Sequence, residues 1–334
     1  LIVDAGYPWD PTLPEEEQVQ DLTGLEYCTG LQRLNLKNHQ ISDISAVANL
    51  TSLTSLHLGG NEISDISAVS KLTNLTQLNL DTNQINDISS VANLTNLTGL
   101  FLGYNQISDI MSLANLTNLT QLWLPDNEIS GIMAVTNLTK LTNLSLDSNE
   151  ISDISAVSNL TNLTWLNLGG NEISDISALT NLTNLTYLTL SSWGPSGKNQ
   201  ISNISPLANL INLKWLYLRY NKINDITAVA SLTGLTELAL SGNPLTLGAK
   251  PIIESLEAGG TDVTYDAIPD PVVVNIPDAN LRAALESALG KNAGDAITDV
   301  ELATLTYLTA PESSITDLTG LEHCTGLTWL NLTN

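Results

Sequence analysis

A chain of 334 residues with 43% hydrophobic content is long enough to bury a sizeable core, and its single Phe and 14% charged residues point to an interior of Leu and Ile rather than to a disordered polymer. Eleven basic against thirty-five acidic residues give a formal charge of -24, which repels a nucleic-acid backbone and disfavours anionic membrane surfaces. No apolar run reaches the roughly 20 residues that a membrane helix needs, and the chain opens without Met or a signal-peptide pattern, as expected of a mature or trimmed product.

In chain order, residues 1–30 open on LIVDAGYPWDP, an extended segment with good strand propensity, and run into a partial first coil. From there the chain repeats itself. The motif L-x-x-L-x-L-x-x-N-x-I-x-x-I-x-x-V/L-x-x-L starts at Leu53 and returns every 22 residues, at Leu75, Leu97, Leu119, Leu141, Leu163 and Leu185. Its Asn recurs as Asn61, Asn83, Asn105, Asn127, Asn149 and Asn171. One coil earlier, Leu31 opens a repeat with His39 in the Asn position. The coil at Leu185 carries six extra residues, WGPSGK at 193–198, which push its Asn to Asn199; further coils start at Leu213 and Leu235. The array therefore occupies 31–245 with about ten coils.

The spacing has a physical reading. Leu at positions 1, 4 and 6 combines a short strand with an inward-turning corner, so each coil contributes one parallel strand. Asn at position 9 carries both donors and an acceptor, which suits it to satisfying the backbone of a tight turn and of the neighbouring coil where water is excluded. The Ile, Ile, Val/Leu and Leu at positions 11, 14, 17 and 20 line the return. Burial of such side chains is worth roughly 1.5–3 kcal/mol each, and this offsets the ordering of a coil only when neighbours share the interface. Stacking is obligatory and the ends need caps.

Residues 246–267 predict a C-terminal lid: a helix with Pro251 in its first turn and Ile252, Ile253 and Leu256 on its apolar face, stopped by Gly259 and Gly260, then a strand at Val263 and Tyr265. Prolines make 268–277 an extended connector. In 278–334, Leu281, Leu285 and Leu289 lie at helical spacing before Gly290, and Thr298 with Glu301 forms the capping box of a second helix. The closing DLTGLEHCTGLTWLNLTN (317–334) matches DLTGLEYCTGLQRLNLKN (21–38) at all but four positions, so 278–334 is expected to be a helical cap followed by the first strand of a second array.

The 22-residue pattern LTNLTxLxLxxNxISDISAVANL resembles the internalin-type leucine-rich repeats of prokaryotic surface proteins, over nearly the whole chain. The resemblance implies an α/β solenoid, a leucine-rich repeat horseshoe with parallel strands on the concave face and short 3₁₀ segments on the convex face. It also implies an extracellular or cell-surface protein that binds a partner in the concavity. The paired helices of 278–334 are similar to the family's N-terminal cap.

Positions 2, 3, 5, 7 and 8 of each coil point away from the core. In most coils they are small and polar, but between Leu97 and Tyr220 they turn aromatic. Phe101 and Trp123 take position 5 in consecutive coils, and Trp165, Tyr187 and Trp215 take position 3 in three consecutive coils; Tyr104, Tyr217, Tyr220 and the inserted Trp193 stand nearby. Rows of exposed rings at the roughly 4.8 Å strand spacing mark a partner site for a protein, peptide or glycan. Arg219, Lys214 and Lys222 are the local cations, and Asp126 and Asp147 the local acids.

A second expectation concerns the end of the chain. Leu327, Trp329, Leu330 and Leu332 form a strand with an unpaired edge. This predicts either a fragment of a longer tandem-array chain or a subunit that adds head to tail onto the N-terminal segment of the next copy, building a homopolymeric filament.

The recurrent Asp43, Asp65, Asp87, Asp109, Asp153, Asp175 and Asp225 read as helix caps rather than a calcium ladder. Cys28 and Cys324 align with core Leu positions and are expected as free buried thiols. The NLT triplets match the glycosylation sequon but arise from the repeat. His39, His57 and His323 lack the partners that acid-base or covalent chemistry needs, so no catalytic residue, metal or cofactor is expected.

Overall fold

The computed structural model describes residues 18–192, 194, 198–311 and 314–333. The N-terminal segment 1–17 and Trp193 therefore lie outside the described residues. The chain divides into two compact units, Leu1–Ala267 and Ile268–Asn334.

In the first unit each coil supplies a three-residue strand. These are β1 (Arg33–Asn35), β2 (Ser55–His57), β3 (Gln77–Asn79), β4 (Gly99–Phe101), β5 (Gln121–Trp123), β6 (Asn143–Ser145), β7 (Trp165–Asn167), β8 (Tyr187–Thr189), β9 (Trp215–Tyr217), β10 (Glu237–Ala239) and β11 (Asp262–Thr264), joined in chain order into one 11-stranded sheet. Pairing is parallel and keeps like residues opposite each other, with Leu56 against Leu78 and Leu78 against Leu100. The chain returns through 3₁₀ turns such as Ser45–Val47 and Ser155–Val157. Most of these turns are opened by an Asp two residues before them: Asp43, Asp87 and Asp153 accept the N–H of the Ser two residues on at 2.8 Å, while Asn203 accepts the Ser205 N–H in the same way and Gly131 stands at this position before Met133–Val135. Those backbone hydrogen bonds hold the three carboxyls below their ordinary value.

The core is the expected one. Leu53, Leu56, Leu58, Ile63, Val69 and Leu72 of one coil are 0% exposed. Asn61 donates to the carbonyls of Leu36 (2.9 Å) and Leu58 (2.8 Å) and accepts the Ile41 N–H at 3.0 Å, so one side chain ties two coils together. His39 takes over the acceptor half of this role, its Nδ1 receiving the Val19 N–H at 3.3 Å. A second row was not legible as such in the sequence. Asn74, Asn96, Asn118, Asn162 and Asn184 donate to Thr carbonyls of the preceding coil at 2.8–2.9 Å. Several triplets that look like sequons are thus structural.

The array ends in α1 (Lys250–Ala258), which buries Ile253 and Leu256. Gly260, at φ 95°, reverses the chain into β11.

The second unit contains α2 (Ala279–Ala288), α3 (Asp299–Ala303), and the parallel pair β12 (Tyr307–Thr309) and β13 (Trp329–Asn331). Asp278 caps α2 by accepting from the N–H groups of Asn280 and Leu281, both at 2.9 Å. The Thr298/Glu301 capping box opens α3. The stretch expected as a connector is extended but is not a free linker. Val274 and Ile276 enter the core with Leu281, Leu285, Ile297, Leu302, Leu308 and Cys324, and Val273 bridges to Thr298.

One thiol corrects the sequence reading. Both cysteines are free, but Cys28 is exposed while Cys324 is buried. Cys324 belongs to the core that α2 and α3 complete. Among the described residues nothing equivalent covers the first coil, and Leu31, Leu34 and Leu36 there are only half-buried.

Candidate partner-binding face

The face of the sheet opposite the core carries a continuous row of rings. Phe101 stacks on Trp123 (centroids 6.4 Å apart, planes 21° apart), Trp123 on Trp165 (4.8 Å, 28°) and Trp165 on Tyr187 (5.0 Å, 10°); Tyr187 then meets Tyr217 at 5.5 Å and 52°. The row crosses from position 5 on β5 to position 3 on β7. The intervening β6 presents no ring: opposite Trp123 it carries the short Ser145, which is 1% exposed.

Trp215 lies in register with Tyr187 and Trp165, as its repeat position predicts, but its ring is not the one that stacks on Tyr187. The ring that continues the stack on β9 is Tyr217. Its hydroxyl donates to Glu237 Oε2 on β10 at 2.8 Å, which fixes the ring against Tyr187. Trp215 stands 40% exposed beside the row. Tyr104 and Tyr220 flank it at 58% and 36% exposure. Both have positive φ, 56° and 53°, in the turn after their strands.

The stacking decides what the row offers. Trp123 and Trp165 have a neighbouring ring on each side, so their faces are used internally and their edges point outward. Ring edges carry positive partial charge and suit contact with carbonyls, methyl groups and other rings. The Trp123 Nε1–H is buried and has no acceptor among the described residues, a cost of about 1–3 kcal/mol for an unpaired polar group.

Acids lie along the row. Asp147 accepts the Ser145 hydroxyl at 2.5 Å, and Asp81 accepts the Gly103 N–H at 2.7 Å and the Asn79 amide at 3.0 Å. Burial pushes the carboxyls of Asp81, Asp147 and Asp126 above their ordinary value, only partly opposed at the first two by those hydrogen bonds. Burial, then the Glu237 carboxylate that accepts its hydrogen bond, pushes Tyr217 up to about 12. Of the cations noted in the sequence, Lys214 is tied to the Gly234 carbonyl at 3.0 Å and Arg219 reaches Thr264 Oγ1 at 3.4 Å; Lys222 is exposed.

The second unit holds a pair that sequence reading missed. Tyr307 and Trp329 stack at 6.4 Å and 10°, more than half exposed, on β12 and β13. Only Trp329 was picked out, as an edge residue with Leu327, Leu330 and Leu332. Leu330 is 44% exposed and Leu327 and Leu332 are half-buried. Tyr307 escaped notice because the strand it lies in is not followed by the repeat motif.

Parallel three-residue strands, 3₁₀ returns and an internal Asn row define a leucine-rich repeat solenoid, a module whose exposed strand face serves protein interaction. Residues 51–93 and 161–209 match the family model for leucine-rich repeats in two copies. An internalin of Listeria monocytogenes, InlF, is similar over 95% of this chain and 85% of its own, at 31% identity and a TM-score of 0.63. The chain belongs to the internalin-type leucine-rich repeat family. A leucine-rich repeat protein of Leptospira interrogans is similar at 27% identity and a TM-score of 0.66, over 72% of this chain and 62% of its own. The functional domain of Listeria monocytogenes InlJ, which includes a cysteine ladder, is similar at 26% identity and a TM-score of 0.62, over 94% of this chain and 60% of its own. No curated protein matches the sequence.

Proposed function

We propose that the protein recognises a polypeptide partner at the cell surface or outside the cell, through the strand face of its 31–245 array, and that it performs no catalysis. The observation that carries this reading is the stacked row from Phe101 to Tyr217 on an otherwise polar face. A row of large rings ordered before binding contributes contact area at little entropic cost. A sugar would stack on open ring faces, and the inner rings have none to give, so a polypeptide is favoured over a glycan. Family membership supports the extracellular setting.

The test is selection of peptides against the full chain from a displayed library, run beside a glycan array. Peptides that bind the native chain and lose at least about tenfold in affinity for Trp123→Ala and Trp165→Ala variants support the reading. Glycan hits alone, or peptides indifferent to both variants, refute it.

A second reading is head-to-tail self-association through Leu327, Trp329, Leu330 and Leu332. What favours it is the exposure of Trp329 (57%) and Leu330 (44%) on β13. Electron microscopy of the purified chain decides: uniform filaments support it and monodisperse particles at all concentrations reject it.

A further inference from the structure

The same face carries negative charge that no salt bridge among the described residues offsets. Asp81 follows β3, Asp126 follows β5 and Asp147 follows β6, and all three act electrostatically on Tyr104, which follows β4. Among the described residues no salt bridge reaches any of the three. Lys37 draws only weakly on Asp81. Asp81 and Asp147 are half-buried, so their charge is poorly screened by water. Carboxylates in this state attract a cation strongly, and the chain as a whole, at -24, adds to the pull.

The spacing narrows the cation. Among the described residues no three His, Cys, Asp or Glu side chains come close enough to hold a metal ion. The acids are instead spread over successive coils, beside an exposed Tyr ring and a row of ring edges. Guanidinium and ammonium groups on a flexible stem can span such a layout, pairing with carboxylates and lying over Tyr104. A bare ion cannot.

Resting on the polypeptide reading above, we propose that the partner docks a basic segment on this face, with Arg or Lys side chains seated among Asp81, Asp126, Asp147 and Tyr104 while its apolar residues contact the ring row. The segment lies along successive coils, reading the acids and the rings together.

The test uses the full chain with hexa-arginine and hexa-lysine peptides, and hexa-glutamine as the neutral probe. An overall charge of this size draws any basic peptide weakly, so two triple variants of equal net charge are compared. Asp81→Asn, Asp126→Asn and Asp147→Asn together remove the proposed seat, and Asn still accepts the Gly103 and Ser145 hydrogen bonds through its one oxygen, giving up only the bond from the Asn79 amide. Asp65→Asn, Asp87→Asn and Asp175→Asn together remove three carboxylates from the 3₁₀ turns. The expected result is binding of the basic peptides only, weakened by salt, with an affinity loss of about tenfold or more in the first triple and less than about twofold in the second. Asp126→Lys, at an exposed turn position with φ 50°, must abolish the same binding while its circular dichroism stays that of the parent chain. Equal losses in the two triples, or no loss in the first or in Asp126→Lys, overturn the proposal. If the first triple has no effect while Trp165→Ala still weakens selected peptides, the basic-segment proposal falls and the polypeptide reading stands.

Discussion

Replacing Asn171 by Ala tests the polar spine that lets the coils stack. Asn171 is 0% exposed. Its Nδ2 donates to the carbonyls of Leu146 (2.9 Å), Leu168 (3.2 Å) and Gly169 (3.2 Å), and its Oδ1 accepts the Ile151 N–H at 3.0 Å. The loss is smaller than four bonds suggest, because adjacent coils share acceptors. Leu146 O also receives Asn149 at 3.0 Å, and Leu168 O also receives Asn199 at 3.1 Å. Neither carbonyl is orphaned. The Ile151 N–H has no substitute in this dry interior. An orphaned buried donor costs about 1–3 kcal/mol and each weakened carbonyl about 0.5 kcal/mol, so about 3 kcal/mol is expected. Asn162 is the control: it is exposed and makes one bond, to the Thr139 carbonyl at 2.8 Å, which water can replace. Its change to Ala should cost less than about 1 kcal/mol. Urea unfolding of the full chain, followed by tryptophan fluorescence, measures both. Equal shifts of the midpoint in the two variants would refute the assignment of the cost to the Ile151 N–H.

Three further outcomes are expected. Tyr104→Gly removes a side chain held at φ 56°, a strained region for a non-Gly residue, so it should raise stability by up to about 1 kcal/mol in the same urea assay while weakening selected peptides. Cys28 is exposed, whereas Cys324 is buried and its thiol is pushed up by burial and then by Glu322; a thiol reagent at pH 8 should label Cys28 quickly and leave Cys324 untouched until the second unit unfolds, and labelling of both at one rate would contradict this packing. Asp278 is held well below its ordinary value of 3.8, chiefly by the Thr316 and Leu281 N–H groups. A carboxyl depressed in the folded state stabilises above the unfolded value, near pH 4, and that contribution is lost as pH falls through the folded value. The second unit should therefore loosen progressively below about pH 4, and Asp278→Asn should flatten this dependence in acid titrations followed by circular dichroism.

The fold was legible because the core depends on local spacing alone. Leu56, Leu78 and Leu100 recur at one position and are buried at one position. The lid and cap were legible for similar reasons, since Pro251, Gly260 and the Thr298/Glu301 pair act within a turn of themselves. The site was legible only in part. Counting by repeat position found the rings and their register but not which of them stack, because stacking depends on side-chain reach across several coils. Trp123 meets Trp165 across β6, whose Asn143 and Ser145 carry no ring, a relation that no single repeat encodes. Prolines fix the backbone of 268–277 but say nothing of where Val274 and Ile276 point, so the packing of that stretch was not legible. Cys28 was placed in the core by analogy with Leu, whereas burial at an outermost coil depends on what covers it.

The six extra residues at 193–198 show where the solenoid has slack. The hydrogen bond from Ile173 N–H to its Asn spans 26 residues of chain, where the equivalent bond from Ile151 spans 20, yet it closes at 2.9 Å. Asn199 still reaches the carbonyls of Leu168 and Leu190 at 3.1 Å. Chain length between strand and Asn is thus decoupled from the stacking of the coils. A coil can therefore take in extra sequence between its strand and its Asn and still close its polar spine, which makes that corner a place to graft new sequence without re-engineering what lies underneath.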